Sequence, residues 1–317
     1  MKRTLLVLLF AAAATVLQAQ TGYVPERVFD SARGQFTDFE TMLADVAKAD
    51  VVFVGEQHDD PNTHRLELAV LQGLARRRGD VVVALEMFER DVQDPFEHFQ
   101  MGHMAEDEFL KASRPWPRYL TDYKPMVDFA ITKNWPVVGG NVPRPIASEV
   151  SKAGLDVLAK KSSDQKKFFA ADLQCPLDDE YFKRFAEAMG DHGGPVSSPT
   201  TAELEKRQSL ERFYYAQCLK DETMGESVAQ AWQVGALGGK PPLVVHYNGS
   251  FHSDFAQGTV ARAARRLPGK RIVVVSMMPV PNLDTLAPDA AERTRADYLV
   301  YTIKQAMGSS PSLGPLG

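Results

Sequence analysis

Cysteine is scarce in this sequence: only two occur among 317 residues. That number excludes a disulfide-dense mini-protein, and the absence of a CxxC spacing excludes a thioredoxin-type motif. An excess of positive charge is also missing, since 36 Lys and Arg stand against 41 Asp and Glu without a basic run, which argues against a nucleic-acid partner. With 44% hydrophobic residues the composition excludes disorder and collagen. The remaining class is a folded globular protein.

Long apolar runs are missing beyond the first residues, so we expect no membrane span in the mature chain, which would need roughly 18 apolar residues. Residues Met1–Ala19 are typical of a secretory signal. Lys2 and Arg3 supply the charged start, Leu5–Val16 the apolar segment, and Leu17–Ala19 a cleavage site. We therefore predict an exported protein that is cleaved near Ala19. No cysteine lies near the cut, so nothing indicates a lipid anchor.

Five short, nearly continuous apolar runs predict strands that are buried on both faces of a parallel sheet. They are Val51–Val54, Val81–Leu85, Trp135–Val138, Leu243–His246 and Ile272–Ser276. Helical patterns lie between them, including one that begins with Asp60 as N-cap and Pro61 as first residue. Further helices are predicted over Lys124–Asn134 and Phe255–Leu267. The fold class is therefore α/β, with a mostly parallel central sheet flanked by helices.

A long helical stretch interrupts this alternation. We predict a single α/β domain over residues 20–307, a helical insertion over about 151–239, and a disordered tail over 308–317. The insertion contains helices at Asp178–Met189 and Thr200–Gln233, separated by a Gly/Pro/Ser-rich break at Gly190–Pro199. The second helix has an apolar stripe that we expect to be buried: Leu204, Leu210, Phe213, Tyr214, Cys218 and Met224.

The two cysteines, Cys175 and Cys218, form an even pair in a chain predicted to enter an oxidising compartment. We therefore predict a disulfide between them, with two buried free thiols as the alternative. The bridge would close a loop of roughly 43 residues and add about 4 kcal/mol to stability in the chain-entropy view.

Polar side chains follow four of the predicted strands at their carboxyl ends, where open parallel sheets bind ligands. They are Glu56, His58 and His64 after the first strand, Glu86 after the second, Asn141 and Arg144 after the third, and Tyr247 and His252 after the fourth. Their convergence predicts one crevice. Each has a structural alternative: a carboxylate can cap a helix, a histidine can be an ordinary loop residue, and Arg144 can bridge to Glu56 or Glu86 instead of pairing with an anionic ligand.

Glu56, His58, Glu86 and His252 are also suitable ligand types for a divalent metal ion, although the HExxH motif is absent. In an enzyme, Glu56 and Glu86 would be the catalytic carboxylates, one of them acting as general base toward a metal-bound water.

The same residues resemble the ChaN-like haem-binding uptake family, within a wider group that includes Tiki proteases and erythromycin-esterase-like hydrolases. The resembling blocks occur in the family's order: Gly55–His58 with His64, Ala84–Phe88 with Gln93, Trp116 with Tyr119, Tyr123 and Pro125, Gly140–Arg144, Ala216–Gln217, Asp221–Met224 and Gly249–His252. The resemblance implies an exported bacterial protein with non-covalent haem, held between the partners of a homodimer. Since this chain lacks the lipid-anchor cysteine, we expect it to be free in the periplasm, where an outer-membrane receptor or transporter is a possible partner.

This resemblance implies a haem site with iron bound by a His or Tyr side chain. The candidate ligands are His58, His64, Tyr123, Tyr247 and His252. Asn141 and Arg144 would also line the site, with Arg144 pairing with a propionate. Met87, Phe88, Phe251 and the helical insertion would supply an apolar wall. The alternative is a metal-dependent hydrolase, a protease or an esterase, that uses the Glu/His cluster, because the wider group shares two GxxH motifs and a pair of glutamates that correspond here to Gly55–His58, Gly249–His252, Glu56 and Glu86.

Overall fold

The computed structural model describes residues 23–190 and 200–305. The predicted signal segment, the predicted tail and residues 191–199 of the predicted break lie outside the described residues. Within the described ranges no helix is long and apolar enough to cross a bilayer.

A single eight-stranded sheet forms the centre of the fold, with strand order β2-β1-β8-β7-β3-β6-β4-β5. The strands are β1 (Glu26–Asp30), β2 (Gln35–Thr37), β3 (Val51–Glu56), β4 (Val81–Glu89), β5 (Val137–Asn141), β6 (Leu243–Gly249), β7 (Ile272–Val280) and β8 (Tyr298–Ile303). All pairings from β8 to β5 are parallel, whereas β1 pairs antiparallel with both β2 and β8. The predicted α/β class is confirmed.

Helices cover both faces of the sheet. They are α1 (Phe39–Val46), α2 (Pro61–Ala75), α3 (Gln93–Gln100), α4 (Glu106–Ser113), α5 (Tyr119–Asp122), α6 (Lys124–Thr132), α7 (Arg144–Ala153), α8 (Glu180–Ala188), α9 (Thr201–Ala236), α10 (Gly258–Arg266) and α11 (Ala290–Arg293). The residues of α1 to α6 pack in the core on one face, and those of α9 and α10 pack on the other. Burial of both faces explains why the central strands are apolar at nearly every position.

Three strands at one edge of the sheet were not predicted: β1, β2 and β8. The first two are short and carry polar residues such as Glu26, Arg27 and Gln35, so they lack the continuous apolar run that marks a strand buried on both faces. The helix predicted from Phe255 begins instead at Gly258, because Phe255 and Ala256 have left-handed φ angles of 64° and 54°.

Helix α9 is longer than predicted and packs its middle against the sheet, α7 and α10. Four members of its predicted stripe are buried, namely Leu210, Tyr214, Cys218 and Met224. Leu204 and Phe213 are exposed, so the prediction was wrong for these two residues. Within this 36-residue helix, one face passes from solvent into the core, and the spacing of apolar residues does not indicate where that change occurs.

Cys175 and Cys218 are joined by a disulfide with a Cα–Cα distance of 5.8 Å, as predicted. The bond links the segment that precedes α8 to the centre of α9.

Candidate functional site

The candidate site lies at the carboxyl ends of β3, β4 and β6. Gly55 allows the turn after β6 to approach β3, because a Cβ there would lie 2.6 Å from Ser253 Oγ and 2.9 Å from Ser250 Cα. Gln57 Nε2 donates a hydrogen bond to Ser250 Oγ at 2.9 Å across the same junction. The short helical turn Ser250–His252 is thereby held beside the end of β3.

Four side chains from β3 and α2 form what we call the β3 cluster: Glu56, His58, His64 and Glu67. His58 Nδ1 is 2.5 Å from Glu56 Oε1, and Tyr123 donates its hydroxyl to the same oxygen at 2.9 Å. The side chain of His58 is 45% exposed, whereas that of Glu56 is fully buried. Burial disfavours the Glu56 carboxylate, but the hydrogen bond from His58 and the close contact with His64 outweigh that cost and lower its pKa to about 2. The same ion pair, acting against burial, raises the pKa of His58.

The other half of the β3 cluster lies beneath His58. His64 and Glu67 are one turn apart on α2, and His64 Nδ1 lies 3.0 Å from an oxygen of Glu67 and 3.0 Å from Glu56 Oε2. Burial opposes protonation of His64, but the two glutamates raise its pKa to about 11. Burial and the neighbouring Glu56 charge raise the pKa of Glu67 well above its ordinary value.

A second group, which we call the β6 cluster, consists of Glu86, Asp221 and His252. Asp221 on α9 accepts a hydrogen bond from His252 Nδ1 at 2.7 Å, and His252 Nε2 lies 3.3 Å from Glu86 Oε1. Burial disfavours charge on both partners of the second pair, but mutual attraction lowers the pKa of Glu86 and, with Asp221, raises that of His252 to about 10. The backbone N–H of Gly249 donates to Glu86 Oε2 at 2.7 Å, which further fixes this carboxylate.

The two clusters meet at Gly249. A Cβ on this residue would lie 2.7 Å from His58 Nε2 and 3.7 Å from Glu86 Oε2. Glycine therefore keeps the second nitrogen of His58 free of a side chain on that side.

A cavity of about 370 Å³ opens beside these clusters. Half of its lining is apolar, namely Trp116, Val142, Ala147, Phe185, Met189, Phe213 and Ala216. The other half is polar and includes two cations and one carboxylate: Arg144, Lys220, Glu89, Asn141, Ser148, Ser151 and Gln217. Trp116 connects the cavity to the β3 cluster, since its ring lies 5.0 Å from that of His58, centroid to centroid. Arg144 lies 5.8 Å above the Trp116 ring and 3.3 Å from Glu89, so its bridging partner is Glu89 and not the predicted Glu56 or Glu86.

Of the predicted site residues, Asn141 and Arg144 line this cavity, and the others lie outside its lining. Tyr247 is fully buried and donates its hydroxyl to the backbone oxygen of Glu67 at 3.2 Å. Asn141 lines the cavity, and its side-chain amide also donates to the Glu86 backbone at 3.1 Å. Met87 and Phe88 lie in the core beneath the sheet, and Phe251 packs against Tyr181, so these three residues do not line the cavity. The predicted insertion does contribute to the wall, through side chains of α8 and α9, together with α7.

The metal-ligand set expected from sequence also differs from the one that the fold assembles. Among the described residues, the group with metal-binding geometry is Glu56, His64 and Glu67, whose ligand atoms lie within 4.8 Å of one another. Only Glu56 belongs to the predicted set. Sequence reasoning missed Glu67 because a glutamate on an amphipathic helix is usually solvated. The i,i+3 spacing from His64 is the one signal that could have identified it.

Together the sheet and the site define an α/β protein with paired acids and histidines at the carboxyl ends of its parallel strands. A family model described as haem-binding uptake, Tiki superfamily, ChaN matches residues 42–263. The chain belongs to this family, as its sequence motifs predicted.

One solved structure shows the same fold, and two others are more distantly similar. ChaN of Campylobacter jejuni, which binds haem cofacially, superimposes with a TM-score of 0.60 at 18% identity, covering 87% of this chain and 96% of that one. A Bacillus cereus protein gives a TM-score of 0.48 at 10% identity, with 86% and 94% covered. An erythromycin esterase mutant in its open conformation gives 0.44 at 12% identity, with 90% and 84% covered. No curated protein sequence matches the chain.

Proposed function

We propose that this protein binds haem non-covalently in the cavity beside Trp116 and handles it for haem or iron uptake. Family membership supports the ligand class, and the cavity supports its place. The observation that carries the proposal is the combination of an apolar wall with cations at its rim. A porphyrin needs apolar surface for its faces and positive charge for its propionates.

The residues present fit haem in three respects. Phe213 and Met189 are 46% and 51% exposed, so the wall offers apolar surface to a ligand. Arg144 and Lys220 reach the rim and supply charge for carboxylates. His58 supplies an imidazole whose Nδ1 is held by Glu56, which is how a metal-binding histidine is commonly oriented for coordination through its other nitrogen.

His58 is the iron ligand that we favour among the five predicted candidates. The other four, His64, Tyr123, Tyr247 and His252, are 6% exposed or less. Among the five candidates, His58 is therefore the one whose side chain a ligand can reach, since it is 45% exposed.

A haem titration of the purified protein, followed by absorbance, tests this proposal. Wild type should show a saturable Soret shift, and His58→Ala should weaken the affinity at least tenfold. His98→Ala is the matched control, because His98 is an exposed histidine on α3 that lies outside the site. A wild type without saturable binding would overturn the proposed function, and an unchanged affinity in His58→Ala would overturn the choice of ligand.

We also propose export to the periplasm and haem binding between two copies of the chain. The signal-like segment Met1–Ala19 supports export. The exposed Phe213 and Met189 support a shared site, since a second copy could cover the open side of the ligand. Light scattering with and without haem should show a dimer in the loaded state, and a receptor or transporter would then take haem from that dimer.

A second candidate function, hydrolysis, is favoured by one observation. The half-exposed His58 is paired with the buried Glu56, so a water molecule at His58 Nε2 could lose a proton to His58 while Glu56 stabilises the resulting imidazolium. Turnover of nitrophenyl esters by haem-free wild type, abolished in His58→Gln, would support it. Absence of turnover above the uncatalysed rate would remove this candidate.

A further inference from the structure

Beneath His58, two buried carboxylates face a single imidazole. Glu56, His64 and Glu67 are 1%, 4% and 0% exposed. The Nδ1 atom of His64 lies 3.0 Å from one oxygen of each glutamate, but it carries at most one hydrogen. It bonds to Glu67 Oε2, and its contact with Glu56 Oε2 remains an ion pair without a hydrogen bond.

Two oxygens of this group are left without hydrogen-bond partners. Glu56 Oε2 and Glu67 Oε1 are buried and accept no hydrogen bond from the residues that the structure describes. A third carboxylate, Asp122, lies 3.5 Å from the far nitrogen of His64 and is paired with Arg118. A buried carboxylate oxygen without a donor is costly, and either a shared proton or a bound cation would satisfy both of these oxygens.

We propose that this group binds one divalent transition-metal ion, through His64 Nδ1, Glu56 Oε2 and a carboxylate oxygen of Glu67. The ion would replace the proton on Nδ1. One imidazole with two carboxylates suits Zn²⁺ or a neighbouring first-row ion, whereas Ca²⁺ and Mg²⁺ prefer all-oxygen sites. Metal–ligand bonds of about 2.0–2.1 Å in a tetrahedral site place ligand atoms about 3.3 Å apart, close to the distances around His64.

Hydrogen bonds from surrounding residues orient the proposed ligands, as is common around protein metal sites. The Nε2 atom of His64 lies 3.3 Å from the backbone oxygen of His58, which fixes the ring and leaves Nδ1 for the ion. Glu56 Oε1 is held by His58 and by the Tyr123 hydroxyl, so that Oε2 remains for the ion. The site would tie β3 to α2 directly beneath the histidine that we assign to haem, and its existence does not depend on haem binding.

Cobalt titration of chelator-treated, haem-free protein tests the proposal, because Co²⁺ reports its coordination in visible absorption. Wild type should bind one equivalent, and Zn²⁺ should displace it. Glu67→Gln keeps the size of the side chain and should weaken binding at least tenfold. Glu205→Gln, an exposed glutamate on α9, is the matched control, and His58→Gln should retain the ion.

Three outcomes would overturn the proposal. One is a wild type that binds no stoichiometric cobalt, in which case the glutamates share a proton. The second is unchanged binding in Glu67→Gln. The third is loss in His58→Gln alone, which would move the ion to the set predicted from sequence. Should Glu67→Gln fail to fold, proton NMR of cobalt-loaded wild type decides: the shifted, slowly exchanging ring N–H must belong to His64. Haem titration of the same samples measures haem binding independently of cobalt binding, so a failure of the metal site can be distinguished from a failure of the proposed function.

Discussion

The β3 and β6 clusters contain the same residue types but differ in how completely their polar atoms are satisfied. In the β6 cluster, Asp221 receives hydrogen bonds from His252, Thr259 and Tyr181, and both oxygens of Glu86 have partners. In the β3 cluster, Glu67 Oε1 has no partner among the described residues, and Glu56 Oε2 has only an ion-pair contact with the His64 nitrogen that also bonds Glu67. His58 in this cluster is half exposed. The difference teaches that the acid–histidine pairing alone does not identify a binding site. We expect the β6 cluster to contribute stability and the β3 cluster to bind ligands.

The largest effect on stability should come from removing the disulfide that holds α9, the helix that carries Asp221 of the β6 cluster. The disulfide of Cys218 lies one turn before Asp221 on α9, and it closes a loop of 43 residues. Replacing both cysteines by serine should lower the free energy of unfolding by about 4 kcal/mol. Urea denaturation measures this, and wild type in reductant should reproduce the loss. An unchanged midpoint would show that α9 is fixed by packing alone.

Asp221→Asn should lower the free energy of unfolding by about 3 kcal/mol, because it removes the nearer of the two carboxylates that pair with the buried His252. Urea denaturation again gives the value. Asp164→Asn changes an exposed carboxylate that pairs with Lys167, and it should leave the midpoint unchanged. A small effect of Asp221→Asn would contradict the structural role assigned to the β6 cluster.

The contribution of His252 to stability should be visible in the pH dependence of the free energy of unfolding. Its pKa is raised from the ordinary value to about 10 in the folded state. The folded protein therefore keeps a proton on His252 that the unfolded chain releases near pH 6.5. The stabilisation of the folded state by protonated His252 is complete below pH 6.5 and is lost as the pH rises toward 10. Wild type should lose up to about 1.4 kcal/mol per pH unit more than His252→Gln in this window. Parallel stability curves for the two proteins would refute this assignment.

The smallest stability effect should accompany Gly249→Ala, at the boundary of the two clusters. The added methyl group would lie 2.7 Å from His58 Nε2, and the half-exposed ring can move away at a cost of about 1 kcal/mol. Haem affinity should fall about tenfold, measured by absorbance titration, because the ring leaves its position over Glu56. Gly79→Ala is the control, since nothing lies within 4 Å of its added methyl group. Equal haem affinities in the two variants would argue against His58 as ligand.

The sequence predicts the central strands well because burial on both faces leaves a continuous apolar run, as in Val51–Val54. It predicts the edge strands poorly because β1 and β2 mix polar and apolar residues, and strand pairing is decided by partners far along the chain. The polar residues at the strand ends were identifiable, since parallel strands end at one edge of the sheet. Their division into two clusters was not, because it depends on Glu67 and Asp221, which come from helices whose rotation about their axes no local pattern specifies.

The position of β3 in the sheet has a consequence for the order of folding. Both neighbours of this central strand come late in the chain: Val51 pairs with Val244 on one side and with Ile272 on the other. During synthesis an emerging chain therefore carries an apolar strand that must wait for roughly 190 further residues before it can pair. Glu56 and His252 cannot come together earlier than that, so ligand-binding competence should be among the last properties that the nascent polypeptide acquires.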